Sequence, residues 1–178
     1  ALFNQGNYTE SETLARKLTV RFPNYGFGWK VLGETLKQQG RLEEAINPMR
    51  NAATLLPEDA NIHSNLGVLL RKLNRLTEAE ASYLRALEID PNYADAHNNL
   101  GVCLKEQGRY AEAIASCYQA LAINPDYASA YTNLGSSLKG LGRFAEAEAS
   151  YQQALAINPD LAEAHNNLGS LLQKMGRL

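Results

Sequence analysis

Apolar and small side chains recur along this chain in two interleaved sets, each with the three- and four-residue spacing of one helical face. From Ala128 onward, Tyr131, Leu134, Gly135 and Leu138 share a face. After a break at Gly142, Phe144, Ala147, Tyr151, Ala154, Leu155 and Ile157 share another. Both sets return every 34 residues, a period marked by prolines at Pro23, Pro57, Pro91, Pro125 and Pro159 and by glycines at Gly33, Gly67, Gly101, Gly135 and Gly169. A fixed period of this length marks a repeat architecture in which each unit buries its apolar face against its neighbours. With the proline numbered position 32, complete copies run over 26–59, 60–93, 94–127 and 128–161. A partial copy, 1–25, precedes them and a lone first half, 162–178, follows. The pattern predicts one all-α array over 1–178, each copy a pair of helices.

Polar residues punctuate the same period. Gly6, Gly40, Gly108, Gly142 and Gly176, with Asn74 completing the series, stand at position 15, where a left-handed residue closes the first helix. Glutamate opens the second helix at position 19 in Glu10, Glu44, Glu78, Glu112 and Glu146, where the helix dipole favours negative charge. Thr9 with Glu12, and Thr77 with Glu80, have the spacing of capping boxes. The glycine at position 8 lies inside the first helix, where it costs about 1 kcal/mol relative to alanine. That cost predicts close approach of the paired helix, with the alanines of positions 20 and 27 opposite. Pro48, at position 23, predicts a kink in the second helix of the first complete copy.

Composition narrows the functions. Seventeen basic residues face 19 acidic ones, a net charge of -2, and no basic block occurs, which argues against a nucleic-acid partner. No apolar stretch approaches the ~20 residues that span a bilayer, so no membrane role is expected. Cys103 and Cys117 are too few for a disulfide framework and match no zinc motif. They read as buried thiols, consistent with an intracellular origin. The chain starts at Ala1 and stops in mid-repeat at Leu178, and so reads as a piece of a longer protein.

The residues at positions 4, 7, 8, 20, 27 and 32 resemble the tetratricopeptide repeat, most cleanly from Ala60 onward. Copies such as ADAHNNLGVCLKEQGRYAEAIASCYQALAINPDY resemble those preceding the catalytic domain of O-linked N-acetylglucosamine transferases. The opening segment departs from the pattern, with Ser11 and Leu18 in place of alanine, which predicts irregular packing there. The resemblance implies a right-handed α-solenoid, a superhelix of antiparallel helix pairs, whose first helices line a concave groove.

On that groove, position 6 carries Asn65, Asn99, Asn133 and Asn167 after Val31, and position 12 carries Lys37, Arg71, Lys105 and Lys139 before Gln173. A carboxamide both donates and accepts, so an asparagine ladder can pair with the main chain of an extended peptide. The basic row favours an acidic ligand. Phe27 is either a further groove contact or a cover for the opening segment.

The carboxylate clamp of chaperone-binding members is poorly matched. Lys30, Glu34, Asn65, Asp95 and Asn99 stand at its positions, with two matches of five. This argues against recognition of a tail ending Glu-Glu-Val-Asp. His63, His97 and His165 all occupy position 4 in separate copies, too far apart to share a zinc ion, and read as core residues. Neither a phosphate loop nor a catalytic triad is present, and no cofactor or metal is expected. The expectation is a non-catalytic scaffold that binds a protein or peptide. Two alternatives are the targeting module of a glycosyltransferase and a scaffold that self-associates end to end through its truncated repeats.

Overall fold

The computed structural model describes residues 7–177. They form ten α-helices and, among the described residues, no strand. These are α1 (Tyr8–Arg21), α2 (Gly26–Gln38), α3 (Leu42–Leu55), α4 (Ala60–Lys72), α5 (Leu76–Ile89), α6 (Ala94–Glu106), α7 (Tyr110–Ile123), α8 (Ala128–Gly140), α9 (Phe144–Ile157) and α10 (Ala162–Lys174). They divide into two compact units, residues 1–91 and 92–178. Within the first, each helix from α1 to α5 packs on the next. Within the second, α6 to α10 do the same, and the first helices α6, α8 and α10 also touch in sequence.

The glycine and asparagine punctuation has its expected cause. Gly40, Gly108, Gly142 and Gly176 have φ of 76°, 77°, 77° and 68°, and Asn74 has 58°. This left-handed geometry ends the first helix and turns the chain in two residues. Gly6 lies outside the described residues. At the far end of the last two complete pairs, Asn side chains fold the turn back on itself: Asn124 accepts from the Asp126 amide and Asn158 from the Asp160 amide.

The second helices start differently from the expected capping boxes. Thr77 lies inside α5, whose N-cap is Arg75, and Thr9 lies inside α1, whose N-cap Asn7 accepts from the Glu10 amide. The recurring device is an ion pair three residues long. Arg41, Arg75, Arg109 and Arg143 each hold the glutamate of position 19, at 2.6–2.8 Å, in Glu44, Glu78, Glu112 and Glu146. The same arginine position also ties repeats together, through Arg41 to Glu12 of α1 and Arg177 to Glu148 of α9.

These arginines hold the Glu44, Glu78, Glu112 and Glu146 carboxyls below their usual range. A depressed folded-state pKa contributes stability above the unfolded value, near 4.3, that is lost as pH falls through the folded one. Thermal midpoints should therefore drop on acidification through the glutamate range. Changing all four residues to glutamine should flatten that drop, and an equally steep drop in the quadruple variant would contradict it. The pairs are exposed, so added salt should shrink the effect.

The glycines of position 8 do meet the paired helix closely, but the group opposite differs from expectation. A Cβ on Gly33 would lie 2.4 Å from Met49 Sδ, on Gly67 2.6 Å from the Tyr83 ring, on Gly101 3.0 Å from Cys117 Sγ, and on Gly135 2.7 Å from the Tyr151 ring. Each partner is the residue of position 24. One of the alanines expected opposite, Ala113, is among the nearest groups at the Gly101 site, its carbonyl 3.2 Å away. In the second unit the core gathers around this contact, with Leu134, Leu138, Ala147, Tyr151, Leu171 and Cys117 all at 0–3 % exposure. Burial pushes the Cys117 thiol up to about 12, so it is an inert packing group.

Two segments expected to be irregular are continuous helices. α3 continues through the buried Pro48 from Leu42 to Leu55. α1 is a 14-residue helix that buries Ser11, Ala15 and Thr19. α2 packs on it, and a Cβ at Gly28 would meet Leu18 at 3.4 Å and Thr19 at 3.7 Å, ordinary contact distances. Serine at position 20 is small enough to serve where alanine was expected.

Candidate peptide-binding face

The predicted face is carried by α2 and α4 in the first unit and by α6, α8 and α10 in the second. In the first unit, Lys37 sits 2.6 Å from Glu34, and its Nζ also donates to Asn65 Oδ1 at 3.3 Å. Both members of the pair are only 13 % and 16 % exposed, so the Lys37 charge is largely compensated. Arg71 is half-buried on the same helix as Asn65.

The second unit holds more of the predicted residues. Lys105, Lys139 and Asn167 line one cavity of about 440 Å³ together with Tyr110, Ser136, Gly140, Tyr151 and Lys174. Lys139 donates to Ser170 of α10 at 2.9 Å, and Lys174 lies 4.9 Å from the centre of the Phe144 ring. Asn167 Nδ2 donates to Ser136 Oγ at 3.4 Å. Asn99 and Lys105 have no hydrogen-bond partner among the described residues of this unit, so both keep their polar groups for solvent or a ligand.

Asn133 behaves differently. It is 9 % exposed, and its Nδ2 donates at 2.9 Å to Asn98, whose own Nδ2 reaches the Tyr127 hydroxyl, which donates in turn to Asp95 at 2.7 Å. Burial, and then the Asp95 charge, raise the Tyr127 phenol well above its usual value, keeping it a donor. The asparagine row thus has a structural task that the sequence did not reveal. Asn65, Asn133 and Asn167 each bond back to the preceding first helix of their own unit.

The remaining candidates are occupied. Lys30 is paired with Asp59 at 2.7 Å, so the clamp-like positions Lys30, Glu34 and Asp95 are all engaged within the fold. His63 and His165 are not core residues as expected. Their Nε2 atoms bond the carbonyls of Pro57 and Pro159 at 3.1 and 2.7 Å, as Trp29 Nε1 does with Pro23 at 2.7 Å. Position 4 therefore fastens the preceding turn. Among the described residues no cluster of His, Cys, Asp or Glu is arranged to hold a metal, and no helix is long and apolar enough to cross a membrane. Phe27 is 52 % exposed and its ring is tilted against that of Tyr25, with ring centres 6.1 Å apart.

Paired antiparallel helices closed by left-handed residues and repeated at 34 residues define the all-α helical-repeat class. Family models of the tetratricopeptide repeat match residues 92–160, 33–73, 69–108 and 150–178. The chain belongs to the tetratricopeptide-repeat family. A search of curated proteins gives no match. Among solved structures it is similar to PilW, a type IV pilus biogenesis factor, at 23% identity and TM-score 0.87 over 99% of this chain and 82% of that one. It is similar to YrrB, described as having an unusual peptide-binding site, at 21% identity and TM-score 0.81 over 93% and 85%. The first repeat domain of Spaghetti (RPAP3), bound to the HSP90 peptide SRMEEVD, is similar at 26% identity and TM-score 0.63 over 66% and 93%.

Proposed function

We propose that this chain is a non-catalytic interaction module that binds an extended peptide or protein segment along the first-helix face of a single repeat array. The observation that carries the reading is the second unit's open cavity, which three basic residues, an asparagine and a serine share. Peptide-binding relatives of the same fold support it. Asn65, Asn99 and Asn167 supply main-chain contacts, with Asn133 holding the face in shape. Lys105 and Lys139 bias the ligand towards acidic sequences, while Lys37, already paired with Glu34, adds little net charge. The finer resemblance to the repeats of O-GlcNAc transferases makes a substrate-targeting module a special case of this reading, resting on sequence alone.

The test is a pull-down, mapping of the captured partner to a binding segment, and isothermal titration with that segment. Asn65→Ala with Asn99→Ala should weaken binding about tenfold or more, at about 0.5–1.5 kcal/mol for each lost bond, while the fold stays intact and the midpoint falls only by the loss of the Lys37–Asn65 bond. Asn133→Ala is expected to lower the midpoint as well, because its amide is bonded in the interior. Equal affinity in the double variant and the parent would sink the first-helix face as the binding surface.

A further inference from the structure

One feature of the second unit goes beyond a generally basic face. The cavity of about 440 Å³ is walled by three lysines, Lys105, Lys139 and Lys174, and no carboxylate among the described residues lines it. Its size falls within the range of small-ligand clefts. Elsewhere several basic side chains are paired with carboxylates: Lys37 with Glu34, Lys30 with Asp59, Arg143 with Glu146 and Arg177 with Glu148. Here positive charge converges from three successive first helices without a counter-ion in the wall.

The floor is built to donate. Ser136 Oγ accepts from the Tyr151 hydroxyl at 3.3 Å and from Asn167 Nδ2 at 3.4 Å. A hydroxyl has two acceptor sites and one proton, so with both sites filled Ser136 keeps its proton available to donate to a ligand. Tyr151 is fully buried and therefore a fixed member of this relay. The opening depends on Gly140, which stands outside both regular glycine series and has lysine or another long polar residue at the equivalent Gln38, Lys72, Glu106 and Lys174. A Cβ there would lie 2.5 Å from the Tyr110 ring, so the glycine lets Tyr110 lie against α8 and form the side wall.

We infer that this cavity is a subsite for a phosphorylated serine or threonine of the bound peptide. The cavity has three lysines and no arginine. The arginine fork matches carboxylate and phosphate alike, whereas lysines act as point charges whose attraction grows with the charge on the ligand. A phosphate monoester carries about -1.5 to -2 at neutral pH and three acceptor oxygens, against one charge for a glutamate. It therefore balances more of the lysine charge and has oxygens left for Ser136. The inference rests on the first-helix face being the peptide site.

The experiment uses fluorescently labelled degenerate peptides with a fixed central phosphoserine, serine or glutamate, measured by anisotropy against the full chain. The phosphoserine pool should bind about tenfold or more tightly than the serine pool, with the glutamate pool between them. Lys105→Ala with Lys174→Ala should erase the difference while leaving the fold intact by circular dichroism, and rising salt should shrink it. The inference is overturned if phosphoserine gives no advantage, if the advantage survives the lysine replacements, if glutamate binds as tightly as phosphoserine, or if no pool binds. Equal binding of all three pools that is lost in the Asn65→Ala, Asn99→Ala variant would remove the phosphate subsite alone. A natural segment indifferent to those asparagines would remove the peptide face itself.

Discussion

Replacing Gly135 by leucine is expected to destabilise the second unit by about 1–3 kcal/mol or more, the cost of overpacking a filled core. Already the first added carbon would lie 2.7 Å from the Tyr151 ring. That ring is fully buried among Leu134, Leu138 and Ala147, so it has little room to retreat. Gly169 occupies the same position of its repeat, yet a Cβ there would meet nothing within 4 Å. Gly169→Ala should therefore stabilise, by up to about 1 kcal/mol, through helix propensity alone. One position of the repeat thus gives effects of opposite sign. Denaturant unfolding of both variants measures them, and a neutral Gly135→Leu would mean that the α8–α9 contact is looser than its geometry.

The sequence carried the fold because its signals were local or periodic. Gly40, Gly108, Gly142 and Asn74 could be assigned to left-handed turns from their place after an apolar run, and each has positive φ. Position 8 was legible as a close approach, but not its partner. Small residues at 20 and 27 and bulkier ones at 24 all recur on the second helix, and only the packing shows that the side chain of position 24 fills the space above the glycine. Histidine at position 4 was misread for a related reason. It alternates with Trp29 and Tyr131, which suggests a core site, whereas its role is a bond to a carbonyl six residues back. No apolar pattern reports a bond of that kind.

The binding face was legible as a row of residues and not as a site. Periodicity placed Lys105 and Lys139 on one face but could not place Lys174, one position further along, beside them. Nor could it show that Asn133 is turned inward to Asn98 while Asn99 remains free of partners in its unit. The one sequence signal pointing to the cavity was Gly140, a helical glycine outside the repeat pattern. Its meaning required the Tyr110 ring.

Tyr151→Ala is expected to cost about 3–5 kcal/mol, the largest single effect in the second unit. The side chain is fully buried, and it packs in the cluster of Leu134, Leu138, Ala147 and Leu171, so its removal leaves a cavity that these helices cannot close without moving. Tyr151→Phe isolates the polar part of the loss. It removes only the 3.3 Å bond to Ser136, at about 0.5–1.5 kcal/mol, and should leave the fold intact. Because Gly135 and Tyr151 share one contact, Gly135→Leu combined with Tyr151→Ala should cost less than the sum of the two, with a coupling of about 0.5–3 kcal/mol. The leucine would then occupy space that the ring has left. Four unfolding curves complete the cycle. Strict additivity would show that the two residues act through separate parts of the core, and the glycine of position 8 would need another explanation.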